Sequence, residues 1–219
     1  MLFAGGGTGG HVFPGLAVAD RLRSAHPVRI VWVGESGGME ERIVSSHGLE
    51  FIGIPAGKLR RYLSLRNVVD IFRVLAGIAR SVGIVHRLKP ALLFSKGGFV
   101  SVPPVVAAWL LGVPVVTHES DASPGLATRI NARFANRVLV PYGGTRASFP
   151  GRIAPRLEVT GNPIRADIFG GDRERGLTVA GFSSGDNRPV VFFLGGSQGA
   201  AQINELVREL LPDLLGSWR

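Results

Sequence analysis

The chain has 219 residues, 45% of them hydrophobic and 19% charged, with 31 glycines. That composition excludes a disordered polymer and suits an α/β protein with many tight loops, one complete domain and part of another. The absence of cysteine excludes a disulfide framework and a thiolate metal site, and no other ligand cluster argues for a metal. A net charge of +9 would suit nucleic acid, but eight basic residues (Lys58, Arg60, Arg61, Arg66, Arg73, Arg80, Arg87, Lys89) stand against the single acid Asp70 in one stretch. Few base-stacking aromatics interleave them beyond Tyr62 and Phe72, so a nucleic-acid partner is not expected.

In chain order, apolar runs predict strands at 2–4, 30–33, 91–94, 113–117, 138–140, 157–160 and 190–194. Helix-period segments predict helices at 14–25, 40–47, 65–88, 102–111, 124–134 and 201–211. The alternation is that of βαβ units and a parallel sheet. A stretch rich in Gly, Asp, Ser and Arg at 165–188 reads as a linker. The expected organisation is therefore a domain over 1–163, followed over 164–219 by a linker and the first βα unit of a truncated second domain. The chain opens directly into a strand-like Leu2-Phe3-Ala4, and no segment offers 18 uninterrupted apolar residues. These features predict a cytoplasmic chain without a membrane span.

Strand 2–4 runs into Gly5-Gly6-Gly7-Thr8-Gly9-Gly10-His11. Glycines between a strand and a helix let backbone N–H groups approach a phosphate, which the helix dipole also favours. The same residues fit G-x-G-x-x-G through Gly5, Gly7 and Gly10, with Glu35 as a possible ribose acid, so a dinucleotide enzyme stays an alternative. His11 closes this loop and is suited to removing a proton from a hydroxyl, or to capping and packing on the helix it opens. Ser95-Lys96-Gly97-Gly98-Phe99 and His118-Glu119-Ser120-Asp121 each follow a strand, which brings them to the same carboxyl edge. Alternatively, Asp121 or Ser123 caps a helix entered at Pro124. Leu194 to Ala200 repeats the strand, loop and helix design beyond the linker.

Helix 65–88 carries an apolar stripe at 65, 68, 69, 72, 75, 78, 82 and 85, with Arg66, Arg73, Arg80 and Arg87 seven apart. The arginines share one face, either simply solvated or docked on an anionic bilayer.

Five ordered motifs together resemble the MurG family of lipid I N-acetylglucosaminyltransferases, in glycosyltransferase family 28. They are Gly6 to Gly15, Lys96 to Ser101, His118-Glu119, Gly161-Asn162-Pro163-Ile164-Arg165 and Gly195 to Ala200. The resemblance implies a GT-B fold of two Rossmann-like domains, the first facing the acceptor and the membrane and the second binding the donor. It implies inverting transfer of N-acetylglucosamine from UDP-N-acetylglucosamine to the C4 hydroxyl of the muramoyl sugar of lipid I, at the cytoplasmic face of the inner membrane and without a cofactor. By motif, His11 is the expected base with Glu119 as a second candidate. Thr8, Gly9, Gly10, Asp121, Arg165 and Ser197 are expected donor contacts, and Gly97, Gly98 and Phe99 an acceptor loop. The family pattern continues Gln-Asn after His-Glu where this chain has Ser120-Asp121, and Asp121 cannot donate as an asparagine amide does. A non-catalytic acceptor half completed by another chain is the remaining alternative.

Overall fold

The computed structural model describes residues 1–57, 65–183, 185, 189–195 and 199–217, with the side chains of 65–69, 216 and 217 outside the description. Two compact units divide at 165/166, two residues beyond the expected boundary. The first unit holds a seven-stranded sheet whose strands pair in parallel throughout. Its strands are β1 (Leu2–Gly5), β2 (Val31–Glu35), β3 (Glu50–Ile54), β4 (Leu93–Gly97), β5 (Val115–His118), β6 (Arg137–Val140) and β7 (Leu157–Val159), in the order β3-β2-β1-β4-β5-β6-β7. Helices α1 (Gly9–Ala25), α2 (Met39–Ser46), α3 (Leu65–Leu88), α4 (Val102–Leu110) and α5 (Leu126–Phe134) connect them. The strand order reverses between β1 and β4, and such a switch point opens a crevice at the carboxyl ends of the strands.

A strand covered on both faces must be apolar throughout, with alternate side chains entering different cores. Leu2, Ala4, Val31 and Val33 enter one core with Val100, Val105 and Ile84. Phe3 and Trp32 enter the other with Val12, Leu16, Val44 and Phe94. Phe3 packs against Trp32 and Phe94 at ring separations of 5.7 and 5.1 Å. The Trp32 indole N–H donates to the Gly5 carbonyl at 2.9 Å, which ties the second core to the first glycine loop. A Cβ on Gly15 would collide with the Trp32 ring, so α1 lies this close to the sheet only because glycine stands there.

Several elements differ from the sequence expectations. Helix α1 begins at Gly9 rather than Pro14 and contains Pro14. Gly and Pro weaken a helix on propensity, but buried Val12, Gly15, Leu16 and Ala19 pack it onto the sheet, and packing dominates. Strand β3 was not expected; it is an edge strand in register with β2 from Val31↔Glu50 to Glu35↔Ile54. Helix α5 starts at Leu126 with Gly125 as N-cap and no side-chain cap, so neither Asp121 nor Ser123 caps it.

The apolar stripe expected on α3 is not its buried face over the first half. Asp70, Gly77, Ser81, Ile84 and Val85 face inward, whereas Ile71, Phe72 and Leu75 are 50%, 67% and 56% exposed. Gly77 lies against the Pro55 carbonyl and Pro103, and this close helix contact sets the rotation of α3. Arg73, Arg80 and Arg87 are exposed as expected. Arg80 nevertheless donates to the Gly53 carbonyl at 3.0 Å, and Arg73 sits 3.9 Å from Asp70. Lys58, Arg60, Arg61 and the Arg66 side chain lie outside the described residues.

In the second unit, 190–194 is not a strand. A strand needs a partner ladder, and among the described residues of this unit there is none. Part of the expected linker forms a short helix, α6 (Arg173–Val179), whose N-cap Asp172 accepts from the Arg175 amide at 2.6 Å. Helix α7 (Ala201–Ser217) runs six residues beyond its expected end.

Candidate functional site

The carboxyl ends of β1, β4 and β5 are neighbours in the sheet, and they bring three of the sequence motifs together. His11 lies in the first turn of α1, where its Nδ1 is 3.1 Å from the Gly6 carbonyl and 3.0 Å from the Thr8 hydroxyl. A carbonyl can only accept, so Nδ1 carries the proton in the neutral ring, and Nε2 keeps its lone pair. The ring lies over the turn after β4: a Cβ on Gly97 would sit 3.4 Å from the imidazole Cδ2, and one on Gly98 3.3 Å from Nδ1. Gly98, at φ +78°, also abuts the Gly6 carbonyl. Glycine is needed there both for the left-handed backbone and for the close approach of the two loops.

The first glycine loop is partly closed to an anion. The Gly7 amide donates to Glu40 Oε2 at 3.2 Å, and the Glu35 amide donates to Glu40 Oε1 at 2.9 Å. Glu40 is buried on α2, and a Cβ on Gly6 would overlap its carboxylate. Sequence reasoning missed Glu40. An acidic residue in the first turn of an amphipathic helix reads as a dipole partner, and only the fold turns it under the loop. Glu35, the possible ribose acid, engages Glu40 through its backbone instead. Gly9 and Gly10 open α1, and the first amides of a helix have no intrahelical acceptor.

On β5, His118 Nε2 donates to the Gly161 carbonyl at 3.0 Å, which leaves buried Nδ1 with no partner among the described residues. Glu119 is buried, and its oxygens accept from the amides of Ser120 at 2.7 Å, Asp121 at 3.0 Å and Gly125 at 3.1 Å. Burial acts to raise the Glu119 carboxyl. Hydrogen bonds from the Asp121 amide, the Thr128 hydroxyl and the Gly125 and Ser120 amides outweigh it and hold the group below the usual carboxylate range. Asp121 is exposed on this loop, and the Asn162 side chain donates to the Ser120 carbonyl at 3.1 Å. The Gly161 to Arg165 motif is thereby fastened at its start to the end of β5. Arg165 itself is exposed.

In the sequence Lys96 is legible only as part of its glycine motif, and the fold gives it a place at the site. It is 1% exposed, and its ammonium donates to the Ser120 hydroxyl at 2.6 Å. Burial, partly offset by Glu119 and Asp121, lowers its pKa to about 8. His118 is lowered to about 4, by burial first and then by Lys96. His11 is lowered in the same way, by burial and Lys96 against the opposing pull of Glu119, the Gly6 carbonyl and Asp121. Both imidazoles are therefore neutral at pH 7. Asn131 on α5 buttresses the floor by donating to the hydroxyls of Ser95 and Ser101 at 3.1 and 2.8 Å. Gly97 and Gly98 thus border His11, Phe99 opens the short 3-10 turn that follows them, and Ser197 lies outside the described residues. Among the described residues no His, Cys, Asp and Glu group could hold a metal ion.

A parallel doubly wound sheet whose polar loops gather at the switch point defines a Rossmann-like unit of the GT-B glycosyltransferase type. Residues 1–140 match the model of the glycosyltransferase family 28 N-terminal domain, and the chain belongs to that family. A Treponema denticola protein is 51% identical over 98% of this chain and 56% of its own length. It is named UDP-N-acetylglucosamine-N-acetylmuramyl-(pentapeptide) pyrophosphoryl-undecaprenol N-acetylglucosamine transferase. A Bacillus cereus protein of the same name, numbered 2, is 42% identical over the whole chain and 60% of its own length. The crystal structure of Acinetobacter baumannii MurG superposes with a TM-score of 0.69 at 27% identity, covering 98% of this chain and 54% of that one. The chain thus spans little more than half the length of the proteins it resembles.

Proposed function

We propose that this chain is the acceptor-side part of an inverting transferase that moves N-acetylglucosamine from UDP-N-acetylglucosamine to the C4 hydroxyl of the muramoyl sugar of lipid I, forming lipid II for peptidoglycan synthesis. The observation that carries the reading is the orientation of His11. Its Nδ1 proton is committed to the Gly6 carbonyl, and Nε2 keeps the lone pair of a neutral imidazole at the switch point. In this reading Nε2 takes the proton of the C4 hydroxyl as that oxygen bonds to the anomeric carbon. The bond from that carbon to the diphosphate breaks, and UDP leaves with the electron pair. A neutral imidazole is a competent base at pH 7.

Glu119, the second candidate, has its carboxylate committed to backbone amides, so we assign it to holding the Ser120-Asp121 loop. Gly97, Gly98 and Phe99 border the acceptor in this reading. Thr8, Gly9, Gly10, Asp121, Arg165 and Ser197 remain proposed donor contacts, with Arg165 suited to a diphosphate through its planar fork. The Gly7 amide is already bonded to Glu40, and the helix-opening amides of Gly9 and Gly10 are N–H groups that the first loop can offer. The relatives' names favour a transferase over the dinucleotide enzyme and over a non-catalytic half.

For location we propose peripheral attachment to the cytoplasmic face of the inner membrane. Among the described residues no helix is long and apolar enough to cross a membrane. Exposed Ile71, Phe72 and Leu75 beside Arg73 on α3 give a surface that can enter a bilayer interface while its charge meets anionic headgroups.

The test is a transfer assay with UDP-N-acetylglucosamine and a lipid I analogue, on the chain extended to the length of its relatives. His11→Ala is expected to lower kcat at least a hundredfold, at the lower end of what a general base contributes, with donor affinity kept. Unchanged turnover would remove His11 from the reaction.

A further inference from the structure

Lys96 is a buried charge that the proposed reaction does not use. Lysine is seldom buried without a counter-ion, yet among the described residues Lys96 forms no salt bridge and its one hydrogen bond goes to the neutral Ser120 hydroxyl. Nor is it remote from the chemistry. A Cβ on Gly5, at the start of the loop that carries His11, would sit 3.2 Å from the Lys96 Cβ, and the next two residues, Gly97 and Gly98, form the turn beneath the imidazole. His118 follows on the adjacent strand.

We propose that Lys96 is a positioning residue for transfer: its buried ammonium, anchored on Ser120, keeps the neighbouring His11 imidazole neutral and able to accept a proton. The proposal rests on the reading of His11 as the base. A cation beside an imidazole disfavours a second positive charge there. The charged groups that act on His11 are Lys96 from β4 and Glu119 and Asp121 from the loop after β5; Glu40 of α2 is bonded instead to the Gly7 and Glu35 amides. Glu119 is bonded to amides and a hydroxyl that offset its charge, and Asp121 is exposed to solvent. The buried ammonium is therefore the least screened charge near the ring. After burial, Lys96 is the largest influence lowering His11.

The experiment is an NMR titration of the His11 ring protons in the 219-residue chain, unmodified and as Lys96→Met, Lys96→Gln and Lys96→Arg. In the unmodified chain the midpoint is expected below the ordinary histidine value of about 6.5. Met or Gln, which remove the charge, should raise it by roughly half a unit or more, and Arg, which keeps the charge, should leave it low. A midpoint at or above 6.5 in the unmodified chain, or one unmoved by folded Met or Gln variants, overturns the proposal. A midpoint at or above 6.5 in the unmodified chain overturns the proposal even if no variant folds.

In the lengthened chain, the acid limb of kcat/KM should move upward with Lys96→Met, with KM for the donor unchanged and rescue by Lys96→Arg. If the His11 midpoint moves but the acid limb does not, the assignment of His11 as base is wrong and the role in transfer fails with it. An unmoved midpoint sinks only the Lys96 proposal.

Discussion

At the residue scale, the sheet edge assigns different work to residues that look alike in sequence. Two histidines meet at this sheet edge, but His11 points its bonded Nδ1 at the Gly6 carbonyl of the first loop, whereas buried His118 donates through Nε2 to the Gly161 carbonyl and leaves Nδ1 without a partner among the described residues. Because the His118 pKa falls to about 4 in the folded chain, the unfolded chain, with a value near 6.5, binds more protons between those two values. Stability is therefore expected to fall as pH drops from about 6.5 towards 4, beyond what the carboxylates explain. Urea unfolding at pH 7, 5.5 and 4.5 should show this slope, and His118→Gln should flatten it; an equal slope in the variant would place the acid sensitivity elsewhere. Gly98 provides a second test. At φ +78° and against the Gly6 carbonyl, Gly98→Ala should cost about 1–3 kcal/mol, the range for a residue forced into a disfavoured backbone region. A loss below 0.5 kcal/mol in denaturant unfolding would contradict the close approach of the two loops.

At the element scale, α3 shows how periodicity and burial part company. The heptad arginines and the helix limits at Leu65 and Leu88 were legible, because composition and a 3.6-residue pattern are local properties. Which apolar residues face inward was not, because Gly77 admits a close approach to Pro103 and rotates Phe72 and Leu75 outward. If this outward face meets the bilayer, Phe72→Ser with Leu75→Ser should reduce co-sedimentation with phosphatidylglycerol vesicles more than tenfold at low salt. Transfer of one large apolar side chain is worth about 1.5–3 kcal/mol. Replacing Arg66, Arg73, Arg80 and Arg87 with glutamine should weaken binding by about 1 kcal/mol per residue near the surface and remove most of its salt dependence. Undiminished binding by both folded variants would move the membrane contact to another surface, such as exposed Trp109, Leu110 and Leu111 at the end of α4.

At the scale of the whole molecule, all seven strands and both apolar cores found among the described residues lie within 1–165. A fragment ending at Arg165 is therefore expected to fold alone and to melt within a few degrees of the complete chain. Circular dichroism on both would check this, and a fragment without a cooperative transition would mean that the second unit is needed for the first. The sequence by itself determined the α/β class, six of the seven strands described and the three motifs of the switch point. Apolar runs, helical periods and glycine loops are written in neighbouring residues. Only the tertiary structure decided that Glu40 supports the first glycine loop, that Lys96 is buried beside His11, and that β3 joins the sheet edge. Those facts depend on contacts between residues far apart in the chain, and a local pattern carries no information about which distant group will fill the space beside it.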